Sequence, residues 1–378
     1  MVRGRVARTT RRESAAGALD DVYAPAVAAS VSLVRRRAGH ALVIALALAL
    51  GVALTRGRPR LDAPPLDPPP APPRPPQAAA IAEEHAPKPA AAAPALPVVR
   101  ADAKLDRAGR TAFAGGYLSL LPDFASEDGA YDLVVFFHGN TELCEQSLAY
   151  ARIGAVFVTQ NLGVGSGPYE TRFADPGALP DVLARVQTAM ERRGLAGARL
   201  GRLALVSWSA GYGAVLRILS QPALAERVDA VLMLDGIHIG RVPGRRAPAV
   251  DQIAPYERFA RWAVSGSKLF TITHSDIAPD AYVGARDTTD VLLRRLDVLR
   301  AADGEEGAVP DIPAANGVLS KPFRVPLSPL TIAEKGQLRV RGYAGDQADH
   351  HILHLLEMGT IALPDLARWW ARPREASP

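Results

Sequence analysis

Short β-rich runs alternate with helical stretches from Tyr117 to the C-terminus. The runs cover residues 117–121, 131–139, 155–161, 202–209, 229–236, 268–276 and 337–345, and helical periodicity is strongest over 180–194, 288–302 and 363–372. Several runs are apolar throughout, which is typical of strands that are buried on both faces. The sequence therefore predicts an α/β fold with a mostly parallel central sheet, helices on both faces, and a site at the carboxyl ends of the strands.

Three segments precede this region. Residues 1–40 form a basic tail, residues 41–55 contain the uncharged run Ala41–Leu54, and residues 56–97 are rich in proline and alanine. The apolar run would span roughly 21 Å as a helix, which is short of the roughly 30 Å hydrocarbon core. We expect an uncleaved transmembrane signal-anchor at 41–55; a cleaved signal peptide, which would give a secreted protein, and a buried helix are the alternatives.

The charges around the apolar run predict its orientation. Eight arginines precede the run and three follow it closely, so the basic tail should stay in the cytoplasm and the bulk of the chain should be exported. The proline-rich segment cannot form a sheet ladder or bury a core, and we expect a disordered, extended spacer there. The sequence thus predicts a single-pass membrane protein with an extracytoplasmic domain over residues 98–378.

Charge and cysteine content exclude some functions. The formal net charge of +5 is already reached in the first 40 residues, so the remainder is neutral as a whole and does not predict nucleic-acid binding. The chain has one cysteine, Cys144, which excludes an intrachain disulfide and a thiolate metal cluster. We expect no cofactor.

The stretch "VSWSAGYGA", Val206 to Ala214, lies between a strand run and a helical run. A sharp strand-to-helix turn would lift the Ser209 hydroxyl above the sheet, with Gly211 and Ser207 as the small flanking residues. This pattern resembles the nucleophile elbow G-x-S-x-G of the α/β-hydrolase family, with Ser207 in place of the first glycine. The resemblance implies an α/β-hydrolase fold over residues 98–378 and Ser209 as the nucleophile of an esterase-like serine hydrolase.

An earlier strand run ends in "FFHGN", which resembles the H-G loop of the same family. The resemblance implies an oxyanion hole formed by the backbone N–H groups of Asn140 and Ala210. His138 is interpreted as structural. We expect Gly139 to contact the substrate, and we expect Trp208 either to do the same or to pack in the core beneath the site.

Two acids and two bases compete for the remaining roles. Asp276 ends the run 268–276, where the resemblance places the family's acid, and is preferred; Asp235 is the alternative acid. In "DHHILH" we expect Asp349 to cap a helix, and we prefer His351 as the base over His350. His350, His354 and Asp349 could also bind zinc, but the pattern lacks the glutamate of H-E-x-x-H, so no metal is predicted.

Together these features predict an exported, membrane-tethered serine hydrolase. Its substrate would be a small-molecule or polymeric ester, most readily a carboxylic ester, or an amide. The alternative from another class is a catalytically inactive hydrolase-fold protein that serves as a binding or scaffold protein at the membrane.

Overall fold

The computed structural model describes residues 100–113, 115–303 and 327–372. The predicted tail (1–40), anchor (41–55) and spacer (56–97) lie outside these residues. None of the helices within the described ranges has both the length and the apolar character needed to cross a bilayer.

One ten-stranded sheet forms the centre of the molecule. Its strands are β1 (Thr111–Phe113), β2 (Gly116–Leu120), β3 (Ala130–Phe137), β4 (Val156–Gln160), β5 (Arg199–Trp208), β6 (Ala230–Leu234), β7 (Leu269–His274), β8 (Ala301–Ala302), β9 (Pro329–Lys335) and β10 (Leu338–Tyr343). Their spatial order is β1-β2-β4-β3-β5-β6-β7-β10-β9-β8. The six strands from β4 to β10 are parallel, and the pairs at both edges are antiparallel.

All seven predicted strand runs form strands, and the parallel centre of the sheet agrees with the prediction. β3, β4, β6 and β7 are buried along their whole length, which explains why they lack a polar alternation. β1, β8 and β9 were not predicted, because these edge strands are mostly exposed and lack a long apolar run. The sheet as a whole is therefore mixed.

Ten helices cover the sheet in the described part of the chain. They are α1 (Thr141–Tyr150), α2 (Gly167–Phe173), α3 (Ala178–Arg192), α4 (Tyr212–Leu219), α5 (Pro222–Arg227), α6 (Ala254–Val264), α7 (Ala285–Leu296), α8 (Ala348–Leu356), α9 (Met358–Ile361) and α10 (Leu363–Trp370). The helix predicted over 288–302 starts earlier and ends earlier. Asp297 terminates it in the left-handed conformation with φ 57°, and β8 follows.

The two faces of the sheet bury separate cores. Along β3, Leu133 and Val135 pack into the core that includes residues of α3, α4, α6 and α7, whereas Val134 and Phe136 pack into the core that includes residues of α1, α8 and α10. Alternate residues of one strand thus meet different helix layers, as expected for a strand covered on both sides. The carboxyl ends of the parallel strands remain as the edge where polar side chains can gather.

Candidate active site

Ser209 directly follows β5 and has a strained backbone. Its φ is 49°, in the left-handed region that residues other than glycine rarely adopt. A short 3-10 turn over Ser209–Gly211 leads straight into α4. The structure therefore contains the strand–turn–helix geometry that the sequence predicted, with the serine at its sharpest point.

Two glycines let the turn fit between its neighbours. A Cβ on Gly211 would collide with the backbone carbonyl of Phe137 at the end of β3. A Cβ on Gly236, just past β6, would lie 2.7 Å from the carbonyl oxygen and 2.8 Å from the nitrogen of Ser209. The ends of three adjacent strands, β3, β5 and β6, are therefore in backbone contact around the serine.

Ser207 occupies the position of the family's first elbow glycine. Its side chain is fully buried and its hydroxyl lies 3.3 Å from Met233 Sδ inside the sheet. It faces away from the rim, as the sequence indicated, so only Ser209 of the two serines can serve as a nucleophile there.

Asp235 and His351 form the central polar contact at this edge. His351 Nδ1 lies 2.7 Å from Asp235 Oδ2. The carboxylate also accepts hydrogen bonds from the Ser275 amide and hydroxyl, both at 2.8 Å. Asp235 is buried and directly follows β6 with φ 42°, another non-glycine residue in the left-handed region. The alternative acid, rather than the preferred one, is therefore the partner of the histidine.

Asp276, the preferred acid of the sequence interpretation, has a different partner. β7 ends at His274, so Asp276 lies two residues beyond the strand, and its carboxylate accepts a hydrogen bond of 2.8 Å from Arg286. Its backbone N–H donates to the Gly345 carbonyl at 2.8 Å. The side chain that the end of β7 contributes to the acid is instead Ser275, as a donor to Asp235.

The start of α8 separates the two candidate bases. The helix begins at Ala348 and its N-cap is Gln347, not Asp349 as predicted. His350 Nδ1 accepts the Gln347 backbone N–H at 3.2 Å, so this imidazole takes part in capping the helix. His351, one residue later, points to Asp235. The structure thus brings the preferred histidine, and not its neighbour, to a carboxylate.

The electrostatics of the pair favour an ionised carboxylate. Burial alone would raise the pKa of Asp235, but the charges of His354 and His351 and the hydrogen bonds from His351 and Ser275 outweigh it and hold that pKa well below its usual range. His354 is itself fully buried behind the pair, with Nδ1 2.8 Å from Thr273 Oγ1, and burial lowers its pKa to about 4. Sequence reasoning had considered His354 only as a zinc ligand.

The loop after β3 is held by a residue that sequence reasoning missed. Asn161 accepts the Gly139 N–H at 2.9 Å and donates to the Gly139 carbonyl at 2.8 Å, so both polar groups of this glycine are occupied. The Asn140 side chain caps α1 by accepting the Leu143 N–H at 3.0 Å. The signal for Asn161 was its place directly after β4, beside the strand that carries the loop.

Two backbone N–H groups at this edge suit an oxyanion. Ala210 lies in the first turn of the elbow, where backbone N–H groups have no helical partner, and α4 follows with its positive dipole end. Asn140 is the N-cap of α1, and its side chain is used in capping. Gly139, predicted to contact the substrate, uses its N–H within the protein.

Trp208, the residue before the nucleophile, is enclosed by two imidazoles. Its ring stacks on His351 with a centroid distance of 4.8 Å and on His138 with a distance of 5.4 Å. Its Nε1–H donates to the backbone carbonyl of His351 at 2.9 Å. His138 Nδ1 in turn lies 2.9 Å from Tyr169 Oη, consistent with a structural role for His138.

Backbone strain is concentrated at this edge. Among the described residues, five other than glycine have a positive φ, and three of these directly follow β3, β5 and β6: His138, Ser209 and Asp235. The other two lie at helix ends. Conformations of this kind cost of order 1–3 kcal/mol and cluster at functional sites.

The residues weighed as zinc ligands have other partners. The His350 imidazole takes part in capping α8, and His354 Nδ1 contacts the Thr273 hydroxyl. Within the described ranges, no group of three or more His, Cys, Asp or Glu side chains is arranged to hold a metal ion.

Comparisons by sequence found no relative: no family model matches the chain, and no curated protein matches it. Solved structures do resemble it. Enterochelin esterase from Shigella flexneri has a TM-score of 0.37 and 11% identity over 66% of this chain and 54% of its own. The siderophore hydrolase EstB from Aspergillus nidulans has a TM-score of 0.36 and 14% identity over 76% of this chain and 99% of its own.

A third structure is that of a putative ancestral haloalkane dehalogenase, with a TM-score of 0.35 and 10% identity over 70% of this chain and 100% of its own. The chain spans about half the length of the Shigella esterase and of a ferric enterobactin esterase from Salmonella typhimurium. These neighbours are hydrolases of the α/β-hydrolase fold. At these identities and TM-scores the comparisons carry no argument about this chain's chemistry, which has to be inferred from its own residues.

Proposed function

We propose that this protein is a serine hydrolase that cleaves a carboxylic ester or an amide. Ser209 is the nucleophile, His351 the general base and Asp235 the acid that orients the base. The observation that carries the proposal is the 2.7 Å contact between His351 Nδ1 and Asp235 Oδ2, beside a serine at a strained elbow. Two neighbouring residues connect the proposed triad: Trp208 contacts His351, and Gly236, next to Asp235, packs on the Ser209 backbone.

The acylation step follows from the charge of Asp235. Because its pKa is held low, the carboxylate is ionised at neutral pH and accepts the Nδ1–H of His351. This leaves Nε2 unprotonated and able to take the Ser209 proton as the oxygen attacks the substrate carbonyl carbon. The resulting imidazolium is stabilised by the same carboxylate and then protonates the leaving group as the carbonyl–heteroatom bond breaks.

The negative charge that develops on the substrate oxygen needs donors. We assign this role to the backbone N–H groups of Ala210 and Asn140, at the ends of the neighbouring strands β5 and β3. Water then attacks the acyl-enzyme with His351 as the base, which releases the acid and restores Ser209.

A catalytically inactive scaffold would have little use for this arrangement. Three strained residues on three adjacent strands converge at one edge, and such strain persists only where the surrounding structure enforces it. An ordered acid–base pair at the same place supports an enzyme over a binding protein.

We also propose that the hydrolase domain is exported and tethered by residues 41–55, with the N-terminus in the cytoplasm. The arginine-rich tail before the apolar run supports this orientation. A reporter fused after residue 378 should be active outside the cytoplasm, and activity only inside would contradict the proposal.

Covalent labelling of the full chain with a fluorophosphonate tests the hydrolase directly. Ser209→Ala should abolish labelling and lower turnover of a small soluble ester by several powers of ten. Ser207→Ala is the matched control, because this buried hydroxyl faces Met233, and it should leave labelling intact. Labelling that persists in Ser209→Ala, or turnover equal to the parent's, would refute the proposal.

A further inference from the structure

The Trp208 indole stacks on two imidazoles. The ring of His138 lies at a centroid distance of 5.4 Å with an interplanar angle of 12°, and the ring of His351 lies at 4.8 Å with an angle of 27°. The ring next to the nucleophile therefore contacts the proposed base.

We propose that Trp208 is a positioning residue for His351, which holds the base in place and stabilises its protonated form during the reaction. The inference rests on the proposed function and deepens it, because it assigns a role to the residue that precedes the nucleophile. Two contacts carry it: the stack on the imidazole, and the 2.9 Å hydrogen bond from Trp208 Nε1 to the His351 carbonyl.

The hydrogen bond fixes the backbone of the residue that carries the base. His351 lies in the first turn of α8, after β10, whereas Ser209 follows β5. The two residues are therefore far apart in the chain, and a non-covalent contact has to hold the histidine near the serine. Trp208, the residue before Ser209, supplies that contact. Asp235 fixes the imidazole from its Nδ1 side, and the indole restricts its rotation from one face.

The stack also favours a positive charge on His351. An aromatic face attracts a cation, and the effect grows where water is excluded. The titratable groups that face His351 are the Asp235 carboxylate and the imidazoles of His138, His238 and His354, with His350 next to it in the chain.

The neighbouring imidazoles stay uncharged at neutral pH. Burial, and then repulsion by His351, lower the pKa of His138 to about 4, and burial lowers the pKa values of His238 and His354 to about 4 as well. The other imidazole that stacks on the indole, that of His138, is thus neutral and does not compete with His351 for the π electrons.

Replacing Trp208, and no other tryptophan, by fluorinated tryptophans tests whether the indole stabilises the protonated form of His351. Successive fluorine atoms weaken the negative face and keep the shape and the N–H donor, so the fold is preserved. The readout is the titration of His351 in the whole protein by NMR, with its signal identified by its loss in His351→Gln. The pKa of His351 should fall stepwise, by about half a unit in total, and a value that does not change across the series would overturn the inference.

Substitution tests the positioning part. Trp208→Leu removes the ring and the donor, and should lower kcat about tenfold while KM changes less than about twofold. Trp208→Phe keeps a ring face and loses the donor, and should restore part of the loss. Trp262→Leu in α6, which removes a tryptophan that packs on Phe259, is the matched control and should leave kcat unchanged.

The outcomes separate this inference from the proposed function. An unchanged kcat in both Trp208→Leu and Trp208→Phe would overturn the positioning role. If Trp208→Leu does not fold, the Phe variant and the fluorinated series still decide. Persistent turnover in Ser209→Ala would refute the proposed function, whereas the NMR titration needs no turnover and would still decide whether the indole favours the charged imidazole.

Discussion

Among the buried carboxylates that the structure describes, Asp235 and Asp365 have partners of different kinds. Asp235 and Asp365 are both 3% exposed. Asp365 in α10 contacts Arg341 at 2.6 Å and Thr271 at 3.0 Å, with Arg339 and Arg368 also beside it. Asp235 instead accepts hydrogen bonds from the amide and hydroxyl of Ser275 and contacts the imidazole of His351.

The difference lies in whether the partner can lose its charge. A guanidinium is always protonated, so the Asp365 cluster is a permanent ion network that ties α10 to β7 and β10. An imidazole gains and loses a proton near neutral pH, so the charge opposite Asp235 can change during a reaction. The comparison teaches that burial of a carboxylate does not by itself indicate catalysis. What distinguishes Asp235 from Asp365 is a partner that can gain and lose a proton.

Asp235→Asn should have the largest effect. The amide keeps the volume but cannot accept the Nδ1–H with a negative charge, so His351 loses both its tautomer and the stabilisation of its cation. We expect kcat to fall by about three to four powers of ten with the fold retained, measured as ester turnover and by circular dichroism. Turnover close to the parent's would remove Asp235 from the proposed triad.

Asp365→Ala should have the opposite effect, lowering stability while leaving activity unchanged. It leaves several arginines without their buried partner, and we expect the free energy of unfolding to fall by about 3 kcal/mol, measured by urea denaturation. Turnover per folded molecule should stay near the parent's. Arg368→Ala is the control, because this side chain is 64% exposed and its loss should cost less than about 1 kcal/mol. A selective loss of activity in Asp365→Ala would contradict the division between the two carboxylates.

The pH dependence of the free energy of unfolding tests the contribution of His354, a buried histidine near Asp235. Its folded pKa is lowered to about 4 by burial, whereas in the unfolded chain it takes up a proton near pH 6.5. The unfolded state therefore binds more protons in between, and the free energy of unfolding should fall as the pH drops from about 6.5 to 4.

His354→Gln should make that slope shallower by up to about 1.4 kcal/mol per pH unit, measured by urea denaturation at pH 5 and 6. Thr273→Val is the control, since it removes the contact to Nδ1 but keeps the buried imidazole, and its slope should match the parent's. Equal slopes in parent and His354→Gln would show that His354 does not contribute.

Asp276→Asn should have the smallest effect. The carboxylate is paired with Arg286, whose side chain is 52% exposed, and exposed pairs of this kind contribute about 0–1 kcal/mol. We expect turnover within about twofold of the parent and a nearly unchanged melting temperature. A loss as large as that in Asp235→Asn would mean that the preferred acid of the sequence interpretation was correct.

Much of the fold was predictable because burial leaves a pattern in the sequence. The seven strand runs and the elbow at Ser209 followed from apolar runs and from small residues at a turn, whereas the preference for His351 over His350 had no such basis. The edge strands β1, β8 and β9 were not predictable in this way, because mostly exposed strands are specified by pairing with a neighbour rather than by their own composition.

The sequence could not show which aspartate contacts His351, because both candidates end strand runs that reach the same rim. A run shows where a strand ends only to within a few residues, and two residues decide the matter here: Asp235 directly follows β6, while Asp276 lies past His274 and Ser275. β6 is also the neighbour of β5, whereas β7 is one strand farther away. Asn161 and the stacking of Trp208 depend on contacts between distant segments, which periodicity does not record.

The crowding around the elbow also determines which positions can carry a side chain larger than glycine. Position 207 accepts a serine because its side chain faces Met233 inside the sheet, while the close approach to the nucleophile's backbone comes from Gly236, just past β6. The steric demand for a glycine beside the Ser209 backbone thus lies some thirty positions along the chain from Ser207. A pattern that demands glycine two residues before the serine passes over such a chain, although the steric constraint that it encodes is still present.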